Sequence, residues 1–208
     1  MTGKFITVEG GEGAGKTSNL NFIKSLLEAS GKSVVFTREP GGTGLGEDIR
    51  ELLLGHKHTG MSDLAELLLV FAARAEHLEQ VIKPALNNGQ WVLCDRFTDA
   101  TYAYQGGGRS LDMESIKTLE SLVQDELRPD LTLLLDLPVE QGMQRAGQRS
   151  APDRFEKEKM DFFDKVRATY LQRAEADPDR IKTIDAGKTL EQVQAQISQV
   201  IDHFMLGH

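Results

Sequence analysis

Cysteine is nearly absent from this sequence. Cys94 stands alone among 208 residues, so no disulfide can form within the chain, which fits a reducing compartment. A basic surplus is missing too. The net charge is −8, whereas nucleic-acid binders usually carry a positive face, so DNA and RNA polymers are set aside as partners. Small anions are not excluded, because a few local cations can hold them inside an acidic protein. Long apolar runs are lacking: LLLVFAA at 67–73 falls well short of the roughly 20 residues that span a bilayer. The first residues, MTGKFITVEGG, show no basic-then-apolar signal layout. No internal repeat, low-complexity tract, Ser-His-Asp or Cys-His arrangement is evident, and the five histidines fall in no interpretable motif. The expectation is a soluble cytoplasmic protein with no nucleic-acid or membrane partner. Its 39% hydrophobic content supports one domain over residues 1–208.

Four short apolar runs read as buried strands: FITVE (5–9), SVVFT (33–37), WVLCD (91–95) and LTLLLDL (131–137). IKTID (181–185) is a weaker fifth. Amphipathic segments at 17–30, 63–88, 112–127, 139–146, 157–177 and 190–204 separate them. Gly31 and Gly89 sit where helices stop, Pro138 where a first-turn proline is tolerated, and Thr189 and Gln192 have capping-box spacing. Buried strands alternating with helices imply an α/β fold, a parallel sheet flanked by helices on both faces. Ligands in such sheets bind beyond the carboxyl ends of the strands.

The first strand runs into GGEGAGKT (10–17), and a helix follows. Strand, glycine-rich loop, Lys-Thr and helix in this order match a P-loop. The backbone of Gly10, Gly11, Glu12, Gly13, Ala14 and Gly15 would wrap phosphate oxygens at a helix N-terminus. Lys16 would reach the β- and γ-phosphates of a nucleoside triphosphate, and the Thr17 hydroxyl would ligate Mg2+. Glu12 is the oddity, a carboxylate where it should repel phosphate.

A P-loop serves GTPase switches, ATPases that drive a protein partner, and small-molecule kinases. The guanine-reading NKxD stretch of the first class is absent. Arginines favour the third. Arg38 lies just past the second strand, in TREPGGT (37–43), while Asp95 and Arg96 close the third, in CDRF (94–97). An apolar strand ending in Asp suits a Walker-B acid near Mg2+. Two arginines at adjacent strand ends suit a second phosphate, which guanidinium binds through paired hydrogen bonds. TYAYQGGGR (101–109) follows as a glycine-rich loop.

GGEGAGKT, TREPGG, DRF and AYQGGGR, in this order and spacing, resemble the thymidylate kinase family of bacterial type. The likeness runs on through PDLTLLLDLP (129–138) and DRFE (153–156). It implies a P-loop NTPase-like nucleoside monophosphate kinase that converts ATP and dTMP into ADP and dTDP, usually as a homodimer. It also implies that Glu12 turns from ATP to the 3′-hydroxyl of dTMP, which resolves the oddity. Arg38 and Arg96 would hold the acceptor phosphate, with Arg96 also near the transferred group. Arg74 would face thymine. The family's stacking aromatic falls at Val70 here, so the adjacent Phe71 is the candidate. By the same resemblance, Thr101 and Gln105 would meet the base edge, Tyr104 would lie under sugar carbon 2, and Arg50 would line the pocket. AGK (186–188) would contact adenine, and the apolar helix at 64–73 is a candidate dimer interface.

Segment 144–156, with Arg145, Arg149 and Arg154, resembles the lid that closes over ATP. Some members place a catalytic arginine directly after the loop acid, where this chain has Gly13. Arg149 is then the candidate for that charge, and Arg145 a further ATP contact. No catalytic base is needed, because a phosphomonoester with a second pKa of about 6 is mostly dianionic at neutral pH. Two alternatives stay open: a kinase for another nucleoside monophosphate, and a P-loop ATPase acting on a protein partner.

Overall fold

The computed structural model describes residues 3–58, 60–147, 154–155 and 158–207. β1 (Phe5–Glu9) leads into α1 (Lys16–Ala29), and β2 (Val34–Arg38) into α2 (Gly44–Leu54). α3 (Asp63–His77) and α4 (Lys83–Asn87) precede β3 (Trp91–Asp95). α5 (Thr98–Thr101), α6 (Met113–Gln124), β4 (Leu131–Asp136) and α7 (Val139–Ala146) come next. α8 (Met160–Ala176), β5 (Ile181–Asp185) and α9 (Leu190–Leu206) complete the order. The strands form one parallel sheet, β2–β3–β1–β4–β5. This is the expected α/β architecture.

Alternate strand residues face opposite helical layers. On one side Ile6, Val8 and Leu133 pack with Leu20 and Ile23 of α1 and Ile197 of α9. On the other, Phe163 and Val166 of α8 pack with Leu134, while Leu78 and Ile82 pack with Phe5 and Val92. Each such buried side chain contributes about 1.5–3 kcal/mol. β1 is central and buried throughout, with β3 on one side and β4 on the other. The chain therefore reverses its winding at β1, the place where open α/β sheets bind ligands.

Two elements differ from expectation. Segment 63–88 is not one regular helix, because a π-helical turn, Leu78–Ile82, separates α3 from α4. Pro84 lies in the first turn of α4, and its missing N–H disfavours an unbroken α-helix. Segment 101–109 is not a loop: α5 runs on as a π-helical stretch, Tyr102–Gly108. Its glycines permit close packing against α8. A Cβ on Gly107 would lie 2.2 Å from Thr169 Oγ1, and one on Gly108 would lie 2.4 Å from the Phe162 ring. β2 also includes Arg38 as its last residue. The capping box of Thr189 and Gln192 forms. Among the described residues, no helix is long and apolar enough to cross a membrane.

Candidate active site

The phosphate loop leaves β1 at its buried end and enters α1 through Gly15, whose φ of 82° is left-handed and suits glycine. Lys16 folds back over the loop, its Nζ donating to the Gly10 and Gly11 carbonyl oxygens at 3.0 and 3.1 Å. Burial lowers its pKa, and Arg96 nearby lowers it further. Gly13 touches α7. A Cβ there would lie 2.0 Å from the Gly142 carbonyl oxygen, and a Cβ on Gly142 would lie 2.4 Å from the Glu12 carbonyl oxygen. Loop and helix therefore meet backbone to backbone.

Thr17 is exposed in the first turn of α1. Asp95 ends β3, and its buried Oδ1 has no hydrogen-bond partner among the described residues. A hydroxyl and a carboxylate oxygen of this kind fit Mg2+, a hard cation that keeps waters and phosphates as its other ligands. Among the described residues, no group of three or more His, Cys, Asp or Glu side chains is placed to hold a metal by itself.

The Glu12 side chain reaches toward β3 and the π-helical stretch. Its Oε1 accepts from Arg96 Nη2 and from the Tyr104 hydroxyl, each at 2.8 Å. Arg96 Nη2 also donates to the Tyr104 oxygen at 2.8 Å and to the Gly10 carbonyl at 3.4 Å. Burial pushes the Glu12 carboxyl up, but Arg96, Lys16 and the Tyr104 hydroxyl together outweigh it and hold its pKa at about 2. Arg96 has φ 68°, a left-handed conformation that is uncommon away from glycine. Its buried Nε has no hydrogen-bond partner among the described residues.

A cavity of about 200 Å³ opens beside this triangle. The structure brings Glu12, Arg50, Arg74, Arg96, Thr101, Tyr104 and Gln105 together on its wall. Arg50 Nη1 donates to the Pro40 carbonyl at 2.9 Å. Its pKa is lowered, first by burial and then by the charges of Arg38 and Arg96. Arg38 stays off the wall, half exposed, with Nη2 donating to Glu47 Oε2 at 2.8 Å. Arg74 is 1% exposed. Its Nε donates to Glu39 Oε2 at 2.7 Å and its Nη2 to Thr101 Oγ1 at 2.9 Å. Its guanidinium lies 4.9 Å from the Phe71 ring and 4.8 Å from the Phe97 ring. Gln105 Nε2 donates to buried Glu66 Oε1 at 2.9 Å.

Phe71 is parted from the cavity. It packs in the core with Leu67, Tyr102 and Ile116, and Val70 takes the wall position. A helix turns about 100° per residue, so these neighbours cannot face the same way. The aromatic rings on the wall besides Tyr104 are Phe97 and Phe155, which the sequence patterns had not singled out.

Arg149 lies outside the described residues, as do 148–153 as a whole. Both flanks of that segment are described. Arg145 Nη1 donates to the Ala186 carbonyl at 3.0 Å, linking α7 to the AGK turn after β5. Arg154, grouped with the lid cations from sequence, is an anchor instead. Its Nε donates to the Leu53 carbonyl at 2.7 Å, and it pairs with Glu66. A buried carboxylate such as Glu66 needs charged partners, and Arg154 and Arg109 supply them.

A family model described as thymidylate kinase matches residues 8–197. A thymidylate kinase of Alcanivorax borkumensis is 57% identical over 97% of both chains. One from Pseudomonas syringae pv. tomato is 58% identical, covering 99% of this chain and 98% of its own length. A solved structure of thymidylate kinase from Ehrlichia chaffeensis superposes with a TM-score of 0.79 at 34% identity, covering 97% of this chain and 99% of that one. With P-loop, converging arginines and nearly full-length likeness in agreement, the chain belongs to the thymidylate kinase family.

Proposed function

We propose that this chain transfers the γ-phosphoryl group of ATP to the phosphate of dTMP, giving ADP and dTDP. The observation that carries this is the Glu12–Arg96–Tyr104 triangle, which joins the phosphate loop to the cavity wall. On the donor side the backbone of residues 10–15 would hold the phosphates, and Lys16 would exchange its carbonyl partners for them. Thr17 and Asp95 would hold Mg2+, which when bound neutralises phosphate charge. Arg145, at the AGK turn, would lie against ATP.

On the acceptor side Arg38 and Arg96 would take the dTMP phosphate, Arg38 leaving Glu47 to do so. Arg50 would add positive potential, and the unpartnered Nε of Arg96 supports an anion there. Glu12 would accept the sugar 3′-hydroxyl, a role its low pKa supports by keeping it ionised. Tyr104 beside it would crowd a ribose 2′-hydroxyl. Arg74, Thr101 and Gln105 would read the base edge, with Val70, Phe97 and Phe155 as apolar contacts and Phe71 backing Arg74. The dianionic acceptor needs no base, so these groups work by positioning and by stabilising charge on the transferring group. Arg149 is the proposed lid cation. Arg149→Ala should lower kcat with dTMP binding nearly intact; unchanged turnover would remove it from the mechanism.

An enzyme consuming ATP and dTMP works where both nucleotides are made, so we assign it to the cytoplasm, as one kinase domain. We also infer a homodimer through α2 and α3. Leu45, Leu52, Leu64 and Leu68 are exposed on these two helices, which pack against each other, and exposed apolar side chains suit an interface. The test of function is ADP release with dTMP, dUMP, dCMP, dGMP and ribose TMP offered separately. Fast turnover with dTMP, and little with dCMP, dGMP or the ribose form, is expected. Hydrolysis without any acceptor, or a preference for another base, would overturn the acceptor assignment.

A further inference from the structure

We propose that Glu9 is the positioning residue for Arg96, fixing from behind the phosphate loop the turn that aims this guanidinium at Glu12. The proposal rests on the reading of Arg96 given above. Glu9 ends β1, is fully buried and does not line the cavity. Both its oxygens are engaged. Oε1 accepts the Phe97 N–H at 2.7 Å, and Oε2 accepts the Tyr170 hydroxyl at 2.8 Å.

The residue between these contacts and the substrate is Arg96, with its left-handed φ of 68°. Backbone of this kind persists only where its surroundings impose it. Here β1 grips both amides that flank the Arg96 α-carbon. The Arg96 N–H donates to the Val8 carbonyl at 3.0 Å, as a strand ladder would provide. The next amide, Phe97 N–H, has left the ladder and finds the Glu9 side chain instead. Held at both ends, the residue directs its side chain to Glu12, Tyr104 and Gly10.

Core packing alone gives no reason for an acid at this place. Burial, then Asp99 on α5, push its pKa up to about 7, against the pull of Tyr170 on α8, the Phe97 amide and Arg96. Lys16 on α1 and Cys94 on β3 also feel its charge. A polar carboxyl costs more to bury than an apolar side chain would, and what it supplies here is a hydrogen-bond acceptor for the Phe97 amide.

The test compares kcat and KM for dTMP and for ATP in Glu9→Leu, Glu9→Gln and Tyr170→Phe. Gln retains an oxygen for the Phe97 amide, and Leu does not. Glu9→Leu should raise the dTMP KM about tenfold or more, the scale expected when a buried amide loses its partner, with the ATP KM within about threefold. Glu9→Gln should stay within about threefold of the native enzyme for both substrates. Tyr170→Phe, which frees one carboxylate oxygen, should raise the dTMP KM about threefold. A native dTMP KM in Glu9→Leu, or dTMP and ATP constants rising in step, would overturn the proposal. If Glu9→Leu does not fold, a native dTMP KM in Tyr170→Phe overturns it equally. Absence of dTMP-dependent turnover in the native enzyme would sink the reading of Arg96 itself. An active native enzyme with an indifferent Glu9→Leu sinks this proposal alone.

Discussion

Glu9 and Glu12 stand three residues apart at the end of one strand, yet one keeps its proton up to about pH 7 and the other loses it at about pH 2. Burial is the largest influence on both, and it acts upward on both. What differs is the company. Glu9 faces Asp99, with Arg96 as a minor influence. Glu12 has Arg96 and Lys16 close by and the Tyr104 hydroxyl on its oxygen. A turn of chain that contains Gly10 and Gly11 moves a carboxyl from a place that tolerates it neutral to one that keeps it charged. Burial sets a shared cost, and neighbouring charge decides the outcome.

The largest expected effect tests the charged member of the pair. Glu12→Ala removes the counter-charge of Arg96 and the proposed acceptor for the sugar hydroxyl. The kcat/KM for dTMP should fall about a hundredfold or more, with the ATP KM within about threefold. Equal losses for both substrates would erase the distinction between a substrate-facing acid and a structural one. A smaller effect should follow from Tyr104→Phe, which removes one donor from Glu12. It should cost about three- to tenfold in dTMP kcat/KM and improve relative use of the ribose form; unchanged sugar preference would count against Tyr104 as the ribose filter.

The smallest effects concern pH, and the two acids predict opposite signs. Glu9 has a raised pKa in the folded protein. From about 4.5 to about 7 the folded chain holds a proton that the unfolded chain has released, so this group's contribution to stability falls as pH rises. Glu12 has a lowered pKa, so its contribution is present above about 4.5 and is lost as pH falls toward 2. Urea midpoints at pH 5 and 7.5 should therefore drop more for the native protein than for Glu9→Gln. Below pH 4.5, Glu12→Gln should lose less stability than the native protein. Parallel pH curves in either pair would show that the neighbouring charges do not separate the two acids.

The strands and the phosphate loop were readable because their signals are local. FITVE before GGEGAGKT announces a buried strand entering a helix through glycines, and β1 and α1 form there. The wall of the cavity was less readable because it depends on helix phase and on contacts between distant segments. Whether Val70 or Phe71 faces the cavity follows from how α3 packs on Tyr102 and Ile116. Phe155 reaches the wall because Arg154 is tied to Leu53 and Glu66, about ninety residues or more away. The pairing of Arg74 with Glu39 joins α3 to the turn after β2, and no periodicity signals it. TYAYQGGGR misled for a physical reason. Three consecutive glycines read as a loop, but a glycine also lets another helix come close, and α8 does so at Gly107 and Gly108.

The contact between Gly13 and Gly142 bears on how such enzymes can change over generations. The family resemblance implies that some members place a catalytic arginine at the position of Gly13. In this chain no side chain fits there while α7 keeps its place, since even a β-carbon would lie 2.0 Å from the Gly142 oxygen. With Arg149 as the proposed lid cation, moving that charge from lid to loop is therefore not reachable by one substitution. It requires a compensating retreat of α7, so the two arrangements sit on separate adaptive paths, and a loop arginine grafted alone should yield an inactive protein and not a hybrid.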